Sequence, residues 1–199
     1  MNTFLRPLFP KFILSTFYDN GITKENIDFL QTVLYKRNIH NSISIDKKLL
    51  EKKELFNLNV FINKTLNDLI QNVYKPKNNI KIYITESWLN ATEEKEQHHH
   101  HRHPNSFLSG VFYIKTNLND SIIFYDDYKM FDIESTEYND FTMSSLDFDV
   151  KDNMLILFPS SVTHCVKTNN FKNTRISIAF NTFLNGTINS EDAKSLNLK

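Results

Sequence analysis

His98-His99-His100-His101-Arg102-His103-Pro104-Asn105-Ser106-Phe107-Leu108-Ser109-Gly110-Val111-Phe112-Tyr113-Ile114 passes from a run of imidazoles, through the turn residues Pro104 and Asn105, into alternating large and small residues. Phe107 to Lys115 reads as a strand, rich in aromatic and β-branched residues. In an extended segment successive side chains point to opposite faces. His101 and His103 therefore share one face and Arg102 takes the other. Two imidazoles on one face can grip a single metal ion. The run is internal and feeds a strand, which sets it apart from a terminal purification tag.

Downstream and upstream of this stretch the same period-two pattern continues. Ile80 to Asn90, Ser121 to Tyr125, Met154 to Phe158, Thr163 to Lys167 and Arg175 to Phe183 are strand-like and separated by Asn and Asp turns, with a weaker strand within Phe141 to Val150. Before Pro76 the pattern is different. Phe12 to Tyr18 is a first strand closed by Asp19-Asn20-Gly21. Thr23 is placed as the N-cap of a helix reaching about Arg37, with Ile27, Leu30, Val33 and Leu34 as its apolar stripe. A loop holding Asn38, Asn41 and Ser42 follows. A second helix spans roughly Lys53 to Tyr74, with Leu55, Leu58, Phe61, Ile62, Leu66, Leu69, Ile70 and Val73 at three- and four-residue steps, and stops before Pro76. Two helices followed by seven or eight short strands imply an α+β fold, the helices packed on one face of an antiparallel sandwich or barrel. One domain is expected, with 1–79 holding the first strand and helices, 80–184 the strand-rich core and 185–199 a tail. Residues 1–10 and 190–199 read as terminal extensions.

Composition narrows the function. Lys plus Arg and Asp plus Glu number 23 each, so no overall charge favours nucleic acid or an anionic membrane. No apolar run approaches the ~20 residues of a membrane span, and the first 20 residues lack signal-peptide features. Cys165 is alone and cannot form an internal disulfide, so a cytoplasmic location is expected, that of the host cell if a phage encodes the chain.

A third metal ligand is supplied by His164, just after Phe158-Pro159-Ser160-Ser161. Neutral imidazoles suit iron, zinc, copper or nickel. A solvated His-rich loop and a hydrogen-bonded core histidine are the plain alternatives for these residues. Arg175 follows His164 by eleven residues, and alternation puts Arg175, Ser177, Ala179 and Asn181 on one face with Ile176, Ile178 and Phe180 on the other. The interior of a barrel is then polar here, its other face covered by helices. Arginine in such a pocket suits bidentate capture of a carboxylate. A surface salt bridge is its alternative.

The ordered set His101-x-His103, Phe158-Pro159-Ser160-Ser161-Val162-Thr163-His164 and Arg175-x-Ser177 resembles the 2-oxoglutarate/Fe(II) dioxygenase superfamily, prolyl-hydroxylase-like members included. With Ser87 to Asn90 and His103 to Tyr113 added, it is similar to oxygenases of marine bacteria and their phages. The resemblance covers residues 80 to 184. It implies a double-stranded β-helix (a jelly roll, cupin-like) and the cofactors Fe(II), 2-oxoglutarate and O2. It further implies oxidative decarboxylation of 2-oxoglutarate to succinate coupled to hydroxylation of a substrate. By position, His101 and His164 take the place of metal ligands and Arg175 that of the residue binding the far carboxylate. Asn90, Tyr113 and Ser177 become candidates for cosubstrate contacts. The chain departs from the pattern at His103, where the superfamily carries Asp or Glu. His103 as third ligand, or an outer position for it with Asp126, Asp127 or water in its place, both stay open. So do a three-His cupin-like metalloenzyme that does not use 2-oxoglutarate and a non-catalytic jelly-roll binding or virion module. Neutral imidazole ligands predict metal affinity that falls as pH drops through about 6. The partner is a small-molecule or peptide/protein substrate, with Tyr125, Tyr128, Phe131 and Tyr138 as a lid, a substrate wall or sheet packing.

Overall fold

A computed structural model describes residues 4, 6–127, 133–189 and 195–198. Its strands are β1 (Leu14–Phe17), β2 (Tyr35–Arg37), β3 (Ser42–Ser44), β4 (Lys81–Thr92), β5 (His98–His101), β6 (Leu108–Lys115), β7 (Ser121–Tyr125), β8 (Ser145–Asp149), β9 (Met154–Pro159), β10 (Thr163–Val166), β11 (Arg175–Ile188) and β12 (Leu196–Leu198). The helices are α1 (Lys24–Gln31) and α2 (Phe56–Leu69). The larger sheet runs β1-β9-β6-β11-β4-β3-β2, with β12 on β11; the smaller runs β5-β10-β7-β8. Every strand ladder is antiparallel. This is the double-stranded β-helix that the sequence led us to expect.

Alternation along the central strands divides the core in two. On β9, Leu155 and Leu157 join α2 residues Leu58, Ile62, Leu66 and Leu69 outside the larger sheet. Ile156 and Phe158, pointing the other way, pack with Tyr113, Ile122, Phe124 and Val162 between the sheets. β11 behaves likewise: Ile178 and Phe180 meet the helices, while Arg175, Ser177 and Ala179 line the space between the sheets. Phe180 lies opposite Gly110, and a Cβ there would stand 2.1 Å from the Phe180 ring, so β6 needs glycine at this crossing.

The helical region is shorter than its apolar periodicity suggests. Thr23 caps α1 as expected, its Oγ1 accepting from Asn26 N at 3.2 Å while Asn26 Oδ1 accepts from Thr23 N at 2.9 Å. The helix nevertheless ends at Gln31. Beyond Thr32 and Val33, whose branched Cβ atoms favour extended backbone, Tyr35–Arg37 pairs with Ser42–Ser44 in a hairpin closed by Asn38 N–H to Asn41 O at 2.8 Å. α2 is preceded by a 3₁₀ turn at Lys53–Leu55 and followed by a π turn at Ile70–Tyr74, and Val73 is exposed. Its end is marked by Lys75 in the left-handed region, just before Pro76. β11 continues to Ile188, and Leu196–Leu198 pairs back onto it, so part of the expected tail is sheet. Tyr128 and Phe131 fall outside the described residues.

Candidate active site

The space between the sheets is a cavity whose wall includes Trp88, Asn90, His98, His101, His103, Tyr113, His164, Arg175 and Ser177. One side comes from neighbouring strands of the smaller sheet. His101 on β5 and His164 on β10 face each other directly in register, with ring centroids 4.3 Å apart. His103 lies just past β5, its ring parallel to that of His164 at 5.2 Å and 5.0 Å from that of His101. Arg102 is exposed, as alternation requires. The segment carrying His103 is tied to the Phe158-Pro159-Ser160 turn: His103 N–H donates to Ser160 O at 3.0 Å, and Ser160 Oγ bonds Ser106 and Ser109, each at 2.8 Å.

Two of these imidazoles have an assigned tautomer by elimination. His101 Nδ1 sits 2.8 Å from His99 O and His164 Nδ1 3.0 Å from Val162 O. A carbonyl only accepts, so each Nδ1 carries the proton and each Nε2 presents a lone pair, the arrangement of a metal ligand held by a backbone partner. One potential ligand atom from each of His101, His103 and His164 lies within 4.8 Å of the others. Two nitrogens about 2.1 Å from one ion are at most about 4.2 Å apart, so small side-chain rotations close the group. Among the described residues this is the one such group of three; Asp126 and Asp127 do not belong to it. Burial pushes His164 down to about 3 and His103 down to about 4, with their imidazole neighbours adding to the effect. Both are neutral and ligand-competent well below pH 6. The loss of metal affinity expected near pH 6 therefore moves to lower pH.

The facing wall belongs to the larger sheet. Register places Asn90, Ser177 and Tyr113 side by side on β4, β11 and β6. Beside them Arg175, 4% exposed, donates through Nε to both oxygens of Asp120, at 3.1 and 2.8 Å, and stacks its guanidinium 5.0 Å from the Tyr113 ring centroid. Arg175 Nη2, the Tyr113 hydroxyl and Asn90 Oδ1 are all buried without a hydrogen-bond partner among the described residues. Burial raises the Tyr113 phenol, so it stays a donor. At the third rung, Trp88 lies opposite Ala179 and 6.0 Å from His103, with the Lys47 ammonium 4.6 Å above its ring.

All seven residues singled out in the sequence thus line one cavity. Two contributors were not foreseen. Asp120, in the turn before β7, reaches Arg175 across 55 residues of chain, and no local pattern marks it. His98 reaches the cavity through an irregularity in β5. Tyr125 lies elsewhere, its hydroxyl 3.4 Å from Cys165 Sγ, and Tyr138 is exposed.

Comparison with known proteins bears on the family and the fold. Residues 86–181 match the family described as "Putative 2OG-Fe(II) oxygenase". No curated protein matches in sequence. Among solved structures, a 2OG-Fe(II) oxygenase family oxidoreductase from Burkholderia pseudomallei is similar at TM-score 0.56 and 12% identity, covering 78% of this chain and 75% of that one. HygX from Streptomyces hygroscopicus, with nickel and 2-oxoglutarate bound, is similar at 0.56 and 12%, covering 85% and 82%. A Pseudomonas putida prolyl-4-hydroxylase is similar at 0.57 and 11%, covering 85% and 91%. Fold and site together define a double-stranded β-helix with three histidines placed so that they could hold a metal ion. Residues 86–181 are similar in sequence to the 2-oxoglutarate/Fe(II)-dependent oxygenases, and the chain as a whole shares their fold. No helix among the described residues is long and apolar enough to cross a membrane.

Proposed function

We propose that this oxygenase is a hydroxylase that holds Fe(II) with His101, His103 and His164 and 2-oxoglutarate with Arg175, Tyr113, Asn90 and Ser177. The observation that carries the reading is the set of orphan polar atoms, Arg175 Nη2, Tyr113 OH and Asn90 Oδ1, in the cavity that the three imidazoles share. A buried polar atom without a partner costs about 1–3 kcal/mol, and three in one cavity mark a place where a ligand completes the hydrogen bonding. A dicarboxylate has the matching chemistry. Its far carboxylate accepts from Arg175 and Tyr113, and the Asn90 amide, turned about its last torsion, offers an NH2 instead of its oxygen.

Bound Fe(II) supplies the O2 chemistry, in which 2-oxoglutarate is decarboxylated to succinate and CO2 as the substrate is oxidised. His101, His103 and His164 would hold the ion as three neutral imidazoles. Tyr113, protonated throughout the working range, donates and does not compete for the metal. Trp88 and Lys47 border the site beside His103 and face the incoming substrate, a peptide or protein side chain or a small molecule. The chain acts as one domain, with 80–184 as its catalytic core.

Succinate release from 2-oxoglutarate with added Fe(II) and a panel of candidate substrates tests the reading. Wild type turns over, while His164→Ala and Arg175→Ala each lose at least about ten-fold, since each removes a charge-assisted or coordinate contact. Turnover retained in Arg175→Ala points instead to a three-His enzyme that does not use 2-oxoglutarate.

A further inference from the structure

The four-histidine run does not alternate simply. His101 pairs with His164, yet His98 pairs with Val166, so three steps along β5 span two along β10. This is a β-bulge, and its extra residue re-aims a side chain that strict alternation would turn outward. His98 consequently enters the same cavity as His101. Its ring stacks on that of His101 at 4.3 Å and 26°. His100, the residue alternation would have placed with His98, is exposed.

His101 and His164 have committed their Nδ1–H groups to backbone carbonyls, and their rings lie 4.3 Å apart. His98 has no side-chain hydrogen bond among the described residues, although it lines the cavity with Tyr113, Ser177 and Arg175. A buried dicarboxylate presents roughly eight acceptor sites, so a further N–H in the cavity beside Arg175, Tyr113, Asn90 and Ser177 has acceptors within its reach. Resting on the function proposed above, we propose that His98 is a further cosubstrate-binding residue, its ring N–H donating to a carboxylate of 2-oxoglutarate. The bulge in β5 is the device that delivers it.

The test separates donor from stack. His98→Phe keeps a flat ring against His101 and removes the N–H; His98→Gln keeps an N–H donor and removes the ring. Ni(II), a redox-silent stand-in for Fe(II), is titrated into each protein, and 2-oxoglutarate is then titrated calorimetrically into the Ni(II)-loaded forms. Expected are Ni(II) affinity within about three-fold of wild type in both variants, a 2-oxoglutarate Kd raised about ten-fold or more in His98→Phe, and a smaller rise in His98→Gln. Thermal unfolding of each variant verifies that it is folded, and the Gln variant serves if the Phe variant is not. Three results overturn the proposal: unchanged 2-oxoglutarate affinity in His98→Phe, equal losses in both variants, or lost Ni(II) binding in the folded variants, which makes His98 a ligand. If wild type binds Ni(II) but not 2-oxoglutarate, the functional reading fails with it.

Discussion

Replacing Asp120 by alanine strips the carboxylate from a guanidinium that has little access to water. In the Arg175–Asp120 pair the side chains are 5% and 8% exposed, and Arg175 Nε reaches both carboxylate oxygens. An exposed pair of this kind contributes 0–1 kcal/mol; removing one partner of a buried pair costs about 3–5 kcal/mol, because the remaining charge stays desolvated. The second regime applies here. For a chain of this length, about 2–4 °C of Tm accompanies each kcal/mol, so Asp120→Ala is expected to lower Tm by about 6–20 °C in the metal-free protein. Asp120→Ala/Arg175→Met, which replaces the pair by apolar groups, recovers most of the loss. Millimolar 2-oxoglutarate with Ni(II) raises Tm more in Asp120→Ala than in wild type, since the ligand's carboxylate then pairs an otherwise orphaned cation. Differential scanning calorimetry reads all three. A loss under about 1 kcal/mol, or a double variant no more stable than the single, would refute the argument that Arg175 is effectively dry.

Acidification destabilises the metal-free fold earlier than carboxylate titration alone predicts. In the folded state burial holds His103 at about 4 and His164 at about 3, whereas unfolded histidine titrates near 6.5. Between those values the unfolded chain binds more protons, so stability falls as pH drops from about 6.5 toward 3, by up to about 1.4 kcal/mol per pH unit for each group. Urea midpoints that stay flat from pH 7 to pH 5 contradict this. Ni(II) affinity, because burial lowers all three imidazoles, falls at a lower pH than the usual histidine value of about 6.5; a steep fall centred at or above pH 6.5 in calorimetric titrations contradicts this. Gly110→Ala forces a methyl against the fully buried Phe180 ring and is expected to cost about 1–3 kcal/mol, read as a lower urea midpoint at unchanged slope; a neutral effect means the ring has room to shift.

Where the backbone is regular, the sequence was a good guide to the site. Period-two alternation put Arg175, Ser177 and Ala179 inside and Ile178 and Phe180 against the helices, and it put His101 and His103 on one side of Arg102. These are local rules, and β4, β6 and β11 obey them through the residues that matter. The rule fails at His98, because a bulge depends on how β5 meets β10 and leaves no mark in composition. It fails for Tyr35–Arg37 too, where helical spacing of Leu30, Val33 and Leu34 ran past the last helical residue, and the hairpin to Ser42–Ser44 won through its cross-strand bonds. The Asp120–Arg175 pair is a third case. Asp120 sits in a turn with no apolar or acidic pattern around it, and only closure of the two sheets brings it to Arg175.

That pair bears on the unusual residue at position 103. Three neutral imidazoles leave a divalent ion at +2, and the 2-oxoglutarate dianion brings the centre to zero. The buried Arg175 would add an uncompensated +1 in a low-dielectric cavity, where unpaired charge is most costly. Asp120 cancels it at the guanidinium itself, through the Nε edge, and leaves Nη2 buried without a partner among the described residues. A site with a carboxylate at 103 reaches the same neutrality differently, the ligand carboxylate offsetting the arginine through the metal. Histidine at 103 and aspartate at 120 are therefore linked by one charge balance. On the proposed ligand set the anion lies beside the arginine instead of on the metal, and a site with three imidazole ligands stays electrically neutral when the dianion is bound.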